Sequence, residues 1–210
     1  YVTSCAEEMY ESVPQDRKPH LARIISESYL VLGDSENARK YYELNAGEEG
    51  KERTRADWFY SGSVLYAVKD YAGAVECFEN MGVKADSIGQ IANYHLGYSY
   101  IQTKNKVAAM EAFKNASRSA FDAGIAEDAY FNWAKLAFDL NNDTSVFDDY
   151  LRRYSEMERG DRINSYMAVA ALYNHDYEGA VNAYDKIDDL DEGMRGNYMK
   201  ANYLRAEQLI

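Results

Sequence analysis

Apolar and small residues recur every three to four positions through most of the chain. One segment places them at Tyr94, Gly97, Tyr98 and Ile101, and the next places them between Ala109 and Ala116. This spacing puts them on one face of an α-helix, and no segment shows the two-residue alternation of a β-strand. Only 2 prolines occur, both near the start, so nearly all of the chain is free to be helical. The pattern predicts an all-α fold.

The helical pattern also repeats over a longer distance. The segment DYAGAVECF at 70–78 returns as DYEGAVNAY at 176–184, 106 positions later, and a period of about 35 residues would place two further copies between them. Aligned in this way, every copy has a small residue followed four positions later by an aromatic residue. The small residues are Ala6, Ala38, Ala74, Ala109, Val146 and Ala180, and the aromatic residues are Tyr10, Tyr42, Phe78, Phe113, Tyr150 and Tyr184.

Each copy reads as a pair of antiparallel helices. A second column of small residues lies twelve positions upstream of the first, at Ser26, Gly62, Gly97, Ala134 and Ala168, with Ala201 starting another copy. Because two helices approach closely only where side chains are small, we expect these columns to mark the helix crossing of each hairpin. Four residues before the first column stands an Asp or Asn, the residue types that cap helix N-termini. These expected caps are Asp34, Asp70, Asn105, Asn142 and Asp176.

The repeats resemble the tetratricopeptide repeat family over essentially the whole chain. The family pattern of W-x2-L-G-x2-Y followed by A-x3-F is matched at Trp58, Ser61, Gly62, Leu65, Ala74 and Phe78, and at Asn93, Leu96, Gly97, Tyr100, Ala109 and Phe113. The closing proline of the family is mostly missing. The resemblance implies a right-handed α-solenoid, a superhelix of tandem helix-turn-helix hairpins.

The resemblance also divides the chain into units. We expect a single array over 1–210 that is a slice of a longer multi-repeat protein. Residues 1–15 would be the second helix of a preceding repeat and 191–210 the first helix of a sixth. The five hairpin repeats between them would be 17–46, 51–83, 86–119, 123–156 and 159–188.

In proteins that resemble this one, the first helices of the repeats line a concave groove that holds a peptide. The matching positions in this sequence are mostly aromatic, and Tyr offers a large rigid face together with a hydrogen-bonding tip. The alternative is that these side chains pack between neighbouring repeats. The groove positions are Phe59, Tyr60, Tyr66, Tyr94, His95, Tyr98, Phe131, Asn132, Lys135, Phe138, Arg162, Tyr166, Val169, Tyr173, Arg195, Tyr198, Asn202 and Arg205.

Charge refines this expectation and excludes one class of partner. The formal net charge is −12, which repels the phosphate backbone of nucleic acids. The groove positions of the last units nevertheless carry more cations than anions, which suits a peptide with carboxylate or aromatic side chains. The carboxylate clamp of chaperone-tail-binding relatives is absent, because the matching positions are Phe59, Ser63, His95, Asp128 and Asn132.

Catalysis and metal binding find no support in the sequence. The 3 histidines occupy unrelated positions, the 2 cysteines fit neither a disulfide framework nor a zinc pattern, and Ser35 in the triplet GDS falls in an interhelical turn. No apolar run is long enough to span a membrane. We therefore predict a non-catalytic protein-interaction scaffold without cofactor or metal, whose partner is a protein or peptide segment.

Two alternatives stay open: a structural spacer within a larger protein, and a helical accessory domain of an enzyme whose active site lies elsewhere. A final resemblance bears on location. The segment from Phe147 to Ser155 resembles the F-x-x-Y-L-x-x-Y-P ending of bacterial envelope-associated tetratricopeptide proteins, with Ser155 in place of proline. It favours the bacterial periplasm or cell envelope over the cytoplasm.

Overall fold

A computed structural model describes residues 2–45, 53–82, 84–154 and 159–210, so Ser155 of the envelope-type ending lies outside the described residues. The described residues form twelve α-helices, a short 3-10 turn at Gln15–Arg17 and no β-strand, which confirms the predicted all-α fold. The helices are α1 Val2–Ser12, α2 Lys18–Val31, α3 Ser35–Asn45, α4 Arg55–Ala67, α5 Tyr71–Met81, α6 Ser87–Gln102, α7 Lys106–Ser117, α8 Ala123–Asn141, α9 Ser145–Arg153, α10 Gly160–Tyr173, α11 Tyr177–Tyr184 and α12 Glu192–Gln208.

Consecutive helices pack as pairs along the chain. Helix α2 packs on α3, α4 on α5, α6 on α7 and α10 on α11. Helix α8 contacts α9 through the rings of Phe138 and Phe147, whose centroids are 5.9 Å apart. The pairs belong to two compact units, Tyr1–Ala129 and Tyr130–Ile210. In the first unit the pairs also contact one another, α3 with α4 and α5 with α6, as in an α-solenoid.

The turns inside four of the hairpins have a common form. The first helix ends, one residue adopts a positive φ, and the next residue caps the second helix. The positive-φ residues are Gly33 (76°), Lys69 (64°), Lys104 (63°) and His175 (59°). The predicted caps Asp34, Asp70, Asn105 and Asp176 each accept a hydrogen bond from the backbone N–H three residues ahead, at 2.9 to 3.2 Å. These four predicted caps are therefore confirmed.

The prediction that Asn142 caps the second helix of the fourth hairpin is wrong. Asn142 has a φ of 53° and so takes the place that Lys69 or His175 takes in the other turns. Helix α9 starts after Thr144, whose side chain makes no capping bond, and the Ser145 N–H donates instead to Asp143 at 3.0 Å. The turn carries one residue more than the alignment allowed, and Asn tolerates the left-handed region better than most residues.

Three of the small residues, Gly62, Gly97 and Ser26, contact the second helix of their own hairpin, as predicted for a helix crossing. A Cβ added to Gly62 would lie 2.6 Å from the Phe78 ring, and one added to Gly97 would lie 2.8 Å from the Phe113 ring. In the first hairpin the Ser26 hydroxyl donates to the Ala38 carbonyl at 2.6 Å. The glycines are thus needed to admit the aromatic residue of the same hairpin.

A buried glutamine of α6 bonds to the loop between α7 and α8. The Gln90 amide of α6 donates to the carbonyls of Ser119 and Asp122, both at 2.9 Å, and accepts from the Asp122 N–H at 2.8 Å. These bonds satisfy the backbone of the loop that precedes α8. They hold this loop against α6.

Candidate functional site

A cavity of about 430 Å³ opens among three first helices of the first unit. We call it the α2–α4 cavity. Helix α2 supplies one wall, α4 the other and α6 a single side chain, and the lining is largely apolar. The lining residues are Arg23, Glu27, Leu30, Val31, Ala56, Phe59, Tyr60, Ser63 and Ile88.

Helical periodicity places the α2 residues on this wall. Arg23, Glu27, Leu30 and Val31 follow one another at spacings that share one helix face, whereas Ala22 and Ile25 are fully buried on another face. Val31 remains 89% exposed and Ile88 36% exposed. The cavity therefore presents apolar side chains to solvent, which single soluble domains generally bury.

Charged groups at its rim are already paired. The Arg23 guanidinium bonds to Glu27 at 2.9 Å and also to Asp57, and it lies 5.0 Å above the Tyr60 ring. Although burial raises the pKa of Asp57, hydrogen bonds from Thr54 and Arg23 outweigh it and hold that pKa below its ordinary value. Because Arg23 and Glu27 at the rim already bond to each other, the apolar centre is the part of the cavity that is available to a ligand.

The predicted groove residues of α6 are engaged within the fold. The hydroxyls of Tyr94 and Tyr98 both donate to Oδ2 of Asp128, at 2.7 and 2.8 Å. Burial and this carboxylate raise the pKa of Tyr94. His95 stacks on Tyr66 with ring centroids 4.2 Å apart, and burial lowers its pKa to about 4, so its ring is neutral near pH 7. These rings and hydroxyls connect α4, α6 and α8.

The second unit has its own aromatic cluster. Phe131 is only 5% exposed and lies beneath two guanidinium groups, Arg159 at 4.7 Å and Arg162 at 5.4 Å from its ring centroid. Phe138 and Tyr166 contact each other at 6.2 Å, and Tyr166 also stacks on Phe147 at 5.6 Å. Asn132, Lys135 and Val169 are half-buried.

The last predicted groove residues lie on α10 and α12. Tyr173 is 81% exposed. Arg195 donates to the Leu190 carbonyl at 2.8 Å, and Arg205 pairs with Glu178 at 2.9 Å. Tyr198 donates to Asp185 at 2.5 Å, and its carbonyl accepts from Asn202 at 3.1 Å. The two expected cations of α12 thus already have partners, the Leu190 carbonyl for Arg195 and Glu178 of α11 for Arg205.

Of the eighteen predicted groove positions, Phe59 and Tyr60 line the α2–α4 cavity, and the other sixteen are not among its lining residues. The sequence prediction missed Leu30, Val31 and Ile88. The spacing of Arg23, Glu27, Leu30 and Val31 on α2 was the sequence signal that could have identified this wall. Helix α2 matched the repeat pattern less well, because it carries Ser26 where the next two first helices carry glycine.

Among the described residues, no group of three or more His, Cys, Asp or Glu side chains could hold a metal ion. In the same part of the chain, no helix has both the length and the apolar character needed to cross a bilayer.

Comparison with known proteins gives one result. Residues 91–122 match the family model described as tetratricopeptide repeat, and this segment contains most of α6 and all of α7. No curated protein matches the chain. Repeats of this family generally mediate protein–protein interactions and are generally not catalytic. The matched segment is similar to a tetratricopeptide repeat, and it lies within a series of hairpins built in the same way.

Proposed function

We propose that this chain is a non-catalytic scaffold that holds a segment of another protein against the first helices of its repeats. In the first unit the segment occupies the α2–α4 cavity, where it inserts an apolar side chain between Val31 and Phe59. The groove positions predicted on α6, α8, α10 and α12, and the division into five repeats, form part of this proposal.

The α2–α4 cavity carries the proposal. Its volume of about 430 Å³ lies in the range of about 300–1,000 Å³ that ligand sites occupy. Its centre is apolar and its rim holds the Arg23–Glu27 ion pair, an arrangement of apolar core and polar rim that is typical of protein interfaces. Val31 can gain from burial because it is 89% exposed in the free chain.

The test uses peptides selected on the protein from a displayed random library. Affinity of a selected peptide is then measured for the wild type and for Val31→Glu, which places a carboxylate at the cavity mouth. We expect the variant to bind at least about tenfold more weakly, because the peptide's apolar side chain would meet a charge that must be desolvated. Fold is not at risk at so exposed a position.

The control is Val107→Glu on α7, where a valine that is 66% exposed lies outside the cavity. It makes the same change of charge and should leave the affinity unchanged. If no peptide is enriched, or if both variants bind as the wild type does, the cavity is not the binding site. Failure to enrich any peptide is the outcome expected of a structural spacer.

A further inference from the structure

A second cavity of the first unit lies between second helices. It also measures about 430 Å³, with α6 as its floor and α5 and α7 as its walls. We call it the α5–α7 cavity. Its lining residues are Phe78, Glu79, Gly82, Ala92, Asn93, Leu96, Tyr100, Ala108, Glu111, Ala112 and Asn115. None of them lines the α2–α4 cavity.

Small side chains create this space. Ala92 on α6 and Ala112 on α7 are each 4% exposed, and Ala108 and Leu96 are half-buried. With Phe78, which is 3% exposed, they make the inner surface of the cavity apolar. The aliphatic part of a long side chain that packed against this surface would be removed from water on several sides.

Two carboxylates and the amide oxygen of Asn93 are acceptors in the lining. Glu79 and Glu111 stand on opposite walls, and both are exposed. Asn93 is 8% exposed, and its amide nitrogen donates one hydrogen bond to the Gly89 carbonyl at 2.7 Å, while its Oδ1 can accept a hydrogen bond from a ligand. The Tyr100 hydroxyl donates to Oε1 of Glu79.

The lining that the structure describes contains no lysine or arginine. Lys114 of α7 has its Nζ 3.6 Å from Glu111 on the same helix. The Glu111 side chain of this pair is 58% exposed, and pairs one helical turn apart contribute little at such exposure. The two carboxylates therefore give the cavity a negative potential, in a chain whose net charge is −12.

We propose that the α5–α7 cavity is a second docking site, which takes an arginine side chain presented by a partner protein. The aliphatic stem lies on Ala92, Leu96 and Ala112, and the guanidinium bonds to Glu79 and Glu111 from the two walls. Arginine fits because its planar group donates several hydrogen bonds in fixed directions and is weakly hydrated for a cation. This site is independent of the α2–α4 cavity.

The probes are three acetylated and amidated peptides, Ser-Ala-Arg-Ala-Ser and its analogues with citrulline or glutamate at the centre. Citrulline has nearly the shape of arginine without the charge. Binding is followed by alanine-methyl NMR, because Ala92, Ala108 and Ala112 report on this cavity and Ala56 reports on the α2–α4 cavity. The arginine peptide should shift the first three signals and leave Ala56 in place, and the citrulline peptide should bind about tenfold more weakly.

Two variants separate this site from a general attraction between opposite charges. Glu79→Gln combined with Glu111→Gln should weaken binding of the arginine peptide about tenfold. Glu36→Gln combined with Glu76→Gln changes the net charge equally at exposed positions outside the cavity and should have no effect. The proposal is overturned if the arginine and citrulline peptides bind equally well, if only Ala56 shifts, if both double variants weaken binding alike, or if no signal moves.

Discussion

Single residues at the helix crossings decide whether a hairpin closes. Gly97 in α6 faces the Phe113 ring, which is 1% exposed, and there is no room between them for a methyl group. This steric need explains why glycine occupies a helix interior, where it is unfavourable by about 1 kcal/mol relative to alanine. Gly62 has the same relation to Phe78 in the preceding hairpin.

We predict that Gly97→Ala lowers the free energy of unfolding by about 1–2 kcal/mol. Overpacking against Phe113 costs about 1–3 kcal/mol and outweighs the better helix propensity of alanine. Chemical denaturation followed by circular dichroism measures the change. The matched control is Gly196→Ala in α12, where an added Cβ meets nothing within 4 Å, so the same substitution should stabilise by up to about 1 kcal/mol. A loss of stability in both variants would mean that the Phe113 contact is not the cause.

The sequence did not predict the roles of Gln90, Tyr94 and Tyr98, because glutamine and tyrosine are common both at protein surfaces and in buried hydrogen-bonded positions. Gln90 was not singled out, since a polar side chain on a helix usually faces water, yet it is 1% exposed and satisfied by loop backbone. Tyr94 and Tyr98 were predicted for a groove because tyrosine serves interfaces well. Their bonds to Asp128 depend on a residue 30 or more positions away, which no local pattern identifies.

At the scale of the helix, the repeated segment DYxGAV is a capping device. Asp70 caps α5 by accepting from the Gly73 N–H at 3.1 Å, and Asp176 caps α11 by accepting from the Gly179 N–H at 2.9 Å. The glycine three residues after the cap leaves space for the carboxylate, because a Cβ at position 179 would lie 2.2 Å from Oδ2 of Asp176. The sequence repeats here because the same hairpin turn is built twice.

We predict that Asp176→Ala lowers the free energy of unfolding by about 1 kcal/mol, while Asp176→Asn changes it by only a few tenths. Asparagine retains the acceptor oxygen for Gly179, and alanine leaves that N–H without a capping side chain. Thermal and chemical unfolding of the two variants provide the comparison. If asparagine is as harmful as alanine, the charge acting on the helix dipole matters more than the hydrogen bond.

The helical pairs could be predicted because each one depends on short-range signals: small residues at the crossing, a cap, and a helical apolar face. The α8–α9 turn was misplaced by one residue because asparagine is favoured both as a helix cap and at a left-handed turn position, which Asn142 occupies here. The α2–α4 and α5–α7 cavities could not be predicted. They arise from the spaces that remain between three helices, and those spaces depend on side-chain sizes in different hairpins.

At the scale of the whole molecule, a chain of repeats should respond locally to damage, because each hairpin packs mainly on its neighbours. Ala109 in α7 and Ala180 in α11 hold equivalent positions in two hairpins, one in each compact unit, and both are fully buried. They offer a reciprocal test. Ala109→Leu and Ala180→Leu each introduce the same overpacking, which costs about 1–3 kcal/mol.

We predict that Ala109→Leu accelerates amide hydrogen exchange in α6 and α7 and leaves α10 and α11 as protected as in the wild type. Ala180→Leu should do the reverse, because local opening draws on the stability of the damaged hairpin alone. Mass-spectrometric exchange on both variants gives the two patterns from one type of experiment. Equal acceleration along the chain in either variant would mean that the two units unfold as one cooperative body, and stability would then be a property of the array and not of its repeats.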